Sequence, residues 1–228
     1  MPLTGVLPDH TPVDATSATG QEWARIHRSQ PRTVVTCRGC GGPMQPKVSR
    51  AGLRFFAHDR VTPTCPSHGE TADHLTVKQL LAAMIRSHGA TADVEGTPTG
   101  HDRGGWRADV LATTPAGRRV AFEVQLASMT VAEGQRRTGV YAADRIATVW
   151  VSTRRTAWMT RLPSCRIVDP AAPDPVVDRG LARLSTTNRW EAAGVVPLRR
   201  VVAGVLDETV TTATPSWIAE TVRDLCHV

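Results

Sequence analysis

Residues 106–126 read Trp-Arg-Ala-Asp-Val-Leu-Ala-Thr-Thr-Pro-Ala-Gly-Arg-Arg-Val-Ala-Phe-Glu-Val-Gln-Leu. Two β-rich runs, Trp106–Thr113 and Arg119–Leu126, flank a Pro-Ala-Gly turn, the pattern of two neighbouring strands. Alternate residues of a strand face the same side. Arg107 therefore shares a face with Asp109, and Glu123 shares one with Gln125. Polar side chains set between apolar neighbours are costly to bury unless they are paired or bind a metal. Carboxylates on adjacent strands suit Mg²⁺ or Mn²⁺ beside a phosphate, where the ion acidifies bound water and offsets developing charge. The Val124 carbonyl is a further candidate ligand. The competing reading is a half-exposed pair of strands with ordinary polar alternation, because motifs this short recur by chance.

Upstream, Leu75, Leu80, Leu81, Met84 and Ile85 recur at helical spacing over residues 71–87. Thr71 is the expected N-cap and Gly89 the stop. Thr91–Glu95 is a strand candidate. Downstream, Ser128 or Thr130 caps a helix reaching about Ala143, followed by an apolar strand at Arg145–Ser152 and a short one at Cys165–Val168. Helix, three strands, helix, strand predicts an α/β fold, a mixed sheet with helices on its faces. Pro170–Pro175 reads as a linker. Val176–Leu184, Leu198–Leu206 and Trp217–Cys226 read as short amphipathic helices.

Two helical faces border the acidic strands. Glu70, His74 and Lys78 are spaced i, i+4, i+8. They offer a third carboxylate and cationic groups, or else form a surface ladder. Arg137 and Tyr141, also i, i+4, follow Gln125. Tyr141 is the one tyrosine of the chain; it is a candidate contact to a nucleic-acid backbone, or simply packed.

The five cysteines are an odd number, which argues against a disulfide framework. Cys37-Arg-Gly-Cys40 with Gly41-Gly42-Pro43 is a metal-binding knuckle rather than a redox pair, since the glycines and proline make a turn and not a helix start. The second ligand pair comes from His58, Cys65 or His68, with His58 and Cys65 favoured and His68 in reserve. Zinc suits such a sulfur and nitrogen set, and four protein ligands make the site structural. Val48 and Leu53–Ala57 are the expected ribbon strands. A helical stretch at Gln21–Ser29 has Trp23 and Ile26 on one face. Cys165 and Cys226 read as ordinary core residues.

The chain has 228 residues, 41% of them hydrophobic, and a net charge of +6, which favours polyanionic partners. It shows no apolar run of membrane-spanning length and no secretory leader, so a cytoplasmic location and no membrane partner are expected.

Together these motifs resemble the competence protein CoiA-like family. The matching pieces are Cys37-x-x-Cys40 with Gly41-Gly42-Pro43-Met44 and Lys47, Phe55-Phe56-Ala57-His58, Gly69-Glu70, His74-x-x-x-Lys78, Arg107-x-Asp109-Val110, Glu123-x-Gln125-x-x-Ser128, and Arg137-Thr138-x-x-Tyr141 ahead of Val149-Trp150. They occur in family order over residues 20–165. The resemblance implies a zinc-finger-like N-terminus joined to a PD-(D/E)xK restriction-endonuclease-like domain, linked to DNA uptake and recombination. The domain boundaries expected are an arm at 1–32, a zinc ribbon at 33–69, the nuclease-like core at 70–170 and a helical cap at 171–228. Asp109 and Glu123 become the acids for catalytic Mg²⁺ or Mn²⁺, with Glu70, His74, Lys78 and Gln125 completing the catalytic set. Gln125 stands where a lysine is usual, and supplies hydrogen bonds without charge. Lys78 or His74 is then the candidate cation. Arg107, Arg137 and Tyr141, with Lys47 and Arg54 and also Arg38 and Arg50 on the ribbon, are the expected DNA contacts. The implied activity is a metal-dependent deoxyribonuclease; the alternative is a non-catalytic DNA-binding adaptor on the same fold. Strand preference, recombination or defence proteins as partners, and homo-oligomer formation stay open.

Overall fold

The computed structural model describes residues 1–98, 105–180, 182–184, 190–192 and 195–210. The chain forms two compact units, Met1–Gln79 and Leu80 onward.

In the first unit, β1 (Thr4–Val6), β2 (Pro12–Asp14), β3 (Val35–Thr36), β4 (Pro43–Val48) and β5 (Arg54–His58) make a five-stranded sheet in the order β2-β1-β3-β4-β5. The first 32 residues therefore contribute to the ribbon's own sheet, since Val6 of β1 pairs with Thr36 of β3. Between β2 and β3 lies α1 (Gly20–Ile26), started by a capping box in which the Thr19 side chain accepts from Glu22 N–H and the Glu22 carboxylate accepts from Thr19 N–H. Its inner face buries Trp23 and Ile26, as their spacing predicts, and Trp23 packs on Phe56 of β5 at 5.5 Å.

Helix α2 (Ala72–Ser87) begins as expected: the Thr71 hydroxyl accepts from His74 N–H at 3.3 Å. It ends at Gly89, whose φ of +87° an L side chain would resist, with Ala90 N–H reaching back to Ile85 O.

The second unit is a seven-stranded mixed sheet. It comprises β6 (Thr91–Val94), β7 (Val110–Thr113), β8 (Arg119–Val124), β9 (Ile146–Ser152), β10 (Ser164–Val168), β11 (Val176–Gly180) and, beyond a separate hairpin of β12 (Ala182–Leu184) and β13 (Trp190–Ala192), β14 (Val196–Pro197). The order is β14-β11-β10-β9-β8-β7-β6. Strands β6, β7 and β8 form an antiparallel meander, and β8 runs parallel to β9 across the crossover helix α3 (Val131–Ala143). Parallel strands need such a crossover. The Thr130 hydroxyl caps α3 by accepting from Glu133 N–H at 3.1 Å. Under α3, Trp106, Ala108, Leu111, Ala121, Tyr141 and Ile146 form one buried cluster, and Trp150, Trp158 and Leu162 another.

Two local expectations are corrected. Val176–Leu184 is not a helix: Val176–Gly180 is a strand that pairs antiparallel with β10, and Arg166 and Asp178 form an ion pair across that ladder. β-branched Val176 and Val177 fit a pleated surface, and sheet pairing overrides the helix-like spacing. Strand β7 is also shorter than Trp106–Thr113, so Asp109 lies one residue ahead of it. Leu198–Leu206 is helical as expected (α4), whereas Trp217–Cys226 falls outside the described residues. No helix among the described residues is long and apolar enough to cross a membrane.

Candidate active site and metal centre

The acidic site sits at one end of the second unit's sheet. The register pairs Val110 with Phe122 and Val94 with Val110, so Asp109 falls opposite Glu123 on one side and Glu95 on the other. The ladder continues past the assigned strands: Glu95 N–H donates to Asp109 O at 3.0 Å, and Ala108 N–H to Gly96 O at 2.9 Å. The half-buried Asp109 carboxylate accepts from Val124 N–H at 2.8 Å, which fixes it beside the end of β8.

Glu123 is fully buried. Burial, and then the neighbouring Asp109 carboxylate, push its carboxyl up from 4.5 to about 7, against the opposing pull of Arg137 and Tyr141. Arg137 donates to one Glu123 oxygen and the Tyr141 hydroxyl to the other. Tyr141 is itself buried, and its hydroxyl is held well above the ordinary tyrosine range by burial and by Glu123. The i, i+4 spacing on α3 is what delivers both donors to one carboxylate. Arg137 also reaches Gln125 Oε1 at 3.4 Å, and its guanidinium lies over the Trp150 ring at 4.6 Å. Trp150 is oriented in turn by donating to the Thr138 hydroxyl at 2.9 Å. Gln125 extends the β8–β9 pairing through its N–H to Val151 O at 2.8 Å, and its amide nitrogen donates to Ala127 O.

The structure thus brings together Asp109, Glu123, Gln125, Arg137 and Tyr141. Arg107 belongs to the same region, ion-paired at 3.1 Å with Glu95. Glu95, buried and at a left-handed φ of +57°, escaped the sequence reading, as did the roles of Trp150 and Thr138. Glu70, His74 and Lys78 lie in the first unit. Lys78 is no member of a surface ladder: it is fully buried and paired with Glu70 at 3.2 Å.

The donor set of Asp109 and Glu123, oxygen ligands whose mutual repulsion already raises a carboxyl pKa, suits a hard divalent cation. Arg137 supplies countercharge to Glu123.

In the first unit, Cys37, Cys40, His58 and Cys65 converge, their ligand atoms all within 4.8 Å of one another. Cys37 Sγ stands 3.8 Å from Cys65 Sγ, and Cys40 Sγ 3.2 Å from His58 Nε2. The knuckle is shaped by Cys37 N–H to Gly42 O and Gly41 N–H to Cys37 O, both at 2.9 Å, with Gly41 at φ +70°. Burial pushes the Cys37 thiol up to about 12, so its thiolate would need a cation to offset it. The cluster fits a zinc ribbon and could hold zinc. His68 is outside it. Of the expected ribbon contacts, Arg38, Lys47 and Arg50 are exposed. Arg54 is engaged within the unit, donating to Ala18 O at 2.7 Å and lying over Trp23 at 5.5 Å.

Comparison with protein families returned a match over residues 70–162 to the model described as competence protein CoiA, nuclease-like domain. Neither the curated proteins nor the solved structures gave a match. The matched span contains the acidic strands, α3 with its Arg137 and Tyr141, and β9, the elements from which the site above is built. Residues 70–162 are therefore similar to the nuclease-like domain of competence protein CoiA.

Proposed function

We propose that the chain is a metal-dependent DNA nuclease that hydrolyses phosphodiester bonds, acting in DNA uptake, recombination or defence. The observation that carries this reading is the placement of Asp109 opposite a buried Glu123, within a span similar to the CoiA nuclease-like domain. A buried carboxylate beside a second one is costly, and sites keep such pairs where the chemistry uses them.

Asp109 and Glu123 would hold Mg²⁺ or Mn²⁺. The ion would supply an acidified water and charge neutralisation at the phosphate. The chain's own groups do the rest. Arg137 and Tyr141 hold Glu123 in one orientation, and Arg137 lies close enough to Gln125 to offer its charge to a substrate phosphate. Arg137 thereby compensates for the neutral Gln125 at the usual lysine position. Gln125 orients water by hydrogen bonding. Arg107 contacts phosphate, and the exposed Arg38, Lys47 and Arg50 of the ribbon extend the DNA contact. Zinc in the Cys37, Cys40, His58, Cys65 cluster is structural, because all four positions are filled by protein.

A second reading, a DNA-binding adaptor without catalysis, is favoured by one feature: both Glu123 oxygens already have donors. Cleavage of linear and circular DNA with Mg²⁺ or Mn²⁺ separates the two. The nuclease reading expects products with wild type and none with Asp109→Ala or Glu123→Ala. DNA binding without cleavage by any form supports the adaptor.

A further inference from the structure

Outside the carboxylates, a hollow of about 300 Å³ opens between the segment Gly105–Arg107 and one flank of α3. Its lining divides by chemistry. Arg107, Arg136 and Arg137 supply cations beside the Glu133 carboxylate, while Val140 and the small exposed parts of the largely buried Trp106 and Tyr141 supply an apolar side. That side is fixed: Trp106 Nε1 donates to Asp144 at 2.6 Å, and the Trp106 and Tyr141 rings pack at 5.5 Å. Two cations are fixed as well, Arg107 by Glu95 and Arg137 by Glu123. Arg136 differs. It is exposed and, among the described residues, held by Glu133 on the same helix face at 2.9 Å, a solvated pair of little net worth that an incoming anion can displace.

We propose that this hollow is a subsite for one unpaired nucleotide of a DNA strand, with its phosphate on Arg136 and Arg107 and its base against Trp106 and Val140. The inference rests on the nuclease reading and names its substrate class: single-stranded DNA, or a strand end with an overhang. Three features support it. The volume is that of a small-ligand pocket and suits a single nucleotide. A base-paired duplex cannot enter it, whereas a nucleotide taken out of the stack can. The pairing of cations with an apolar, partly aromatic side is the chemistry by which single strands are gripped, charge along the backbone and a ring or apolar face under the base. The hollow shares Arg137 and Tyr141 with the buried Glu123, so a nucleotide lodged there lies next to the carboxylates. Trp106, Arg136 and Val140 become binding residues on this account.

The test is fluorescence anisotropy of the full chain, zinc retained and Mg²⁺ and Mn²⁺ omitted, with a labelled single strand, the blunt duplex, and the same duplex with a short overhang. Competing deoxynucleoside monophosphate forms a fourth arm. The proposal expects the single strand and the overhang to bind at least about tenfold tighter than the blunt duplex. Arg136→Ala, at an exposed site, and Val140→Trp, which fills the hollow, should each cut that preference to below about threefold, with circular dichroism checking the fold of both. Equal affinity for single strand and duplex, or a preference that survives Arg136→Ala, overturns it. So does mononucleotide binding that depends on Arg136 when the oligonucleotides show no preference. A nucleotide preference in a protein that never cleaves DNA keeps the subsite and sinks the nuclease. Cleavage with no such preference does the reverse.

Discussion

The cysteine cluster and the acidic site are both knots of polar groups at the ends of sheets, yet they are satisfied in opposite ways. Three thiols and an imidazole bring no countercharge of their own, and the Cys37 thiol sits far from ionisation without one. The acidic site carries its countercharge within it: Arg137 and Tyr141 occupy the two oxygens of Glu123. The first arrangement is a donor set that a metal such as zinc would complete. In the second the chain's own groups match the buried charge, so a metal held there would serve chemistry rather than folding.

The largest expected effect breaks or keeps this contrast. Zinc bound by such a cluster contributes on the order of 10 kcal/mol of binding free energy to folding. Stripping it, or making Cys37→Ser, should abolish amide protection in the β4–β5 ribbon while β8 and β9 stay protected in hydrogen exchange. Loss of protection in both sheets together would erase the distinction.

At the acidic site the internal countercharge can be removed instead. Arg137→Met leaves Glu123 buried and without its ion pair, which should cost about 3 kcal/mol at pH 8, the low end for a buried pair because Arg137 is partly exposed. Denaturant midpoints should show the loss shrinking at pH 5, where the carboxyl is protonated. A loss equal at both pH values would mean that packing on Trp150, not charge, is what Arg137 supplies.

The pH profile of wild type follows from the same group. The folded carboxyl of Glu123 titrates near 7, above its ordinary 4.5. Between those values the native state holds a proton that the unfolded chain has released. Its contribution to stability is full below about pH 4.5, declines as pH rises towards 7, and is then constant, on the order of 3 kcal/mol lower. Glu123→Gln should remove that decline. An unaltered profile in the variant would assign the titration elsewhere. Smallest of all, Thr130→Ala should cost about 1 kcal/mol by uncapping α3. The matched loss should appear in thermal unfolding of the second unit, without effect on the ribbon.

The same contrast explains what was legible in the sequence. The cysteine ligands announce themselves because a knuckle is local: Cys37, Cys40 and the two glycines fix half the site within a few residues. Asp109, Glu123, Arg137 and Tyr141 were legible through strand alternation and helical spacing, helped by the family pattern. Glu95 was not. Asp93 and Glu95 alternate like a solvated edge, and only the pairing of β6 with β7 puts Glu95 across from Asp109 and buries it. Gln125 pointed to Lys78 or His74 as the missing cation, whereas the cation on Glu123 is Arg137, delivered by α3 from across the crossover. Strands β1 and β2 are three residues each, too short to show a period, and their existence depends on partners in the ribbon. Residues 176–180 failed for the same reason, since β10 supplies the order that their own spacing lacks.

The most direct test of the central claim is Mn²⁺ binding by the zinc-loaded protein at pH 8, followed by electron paramagnetic resonance and calorimetry. The account predicts a Mn²⁺ site in wild type that is lost in Asp109→Asn and in Glu123→Gln while the ribbon metal stays in place. Mn²⁺ binding that is absent from wild type, or unchanged in both variants, would contradict it.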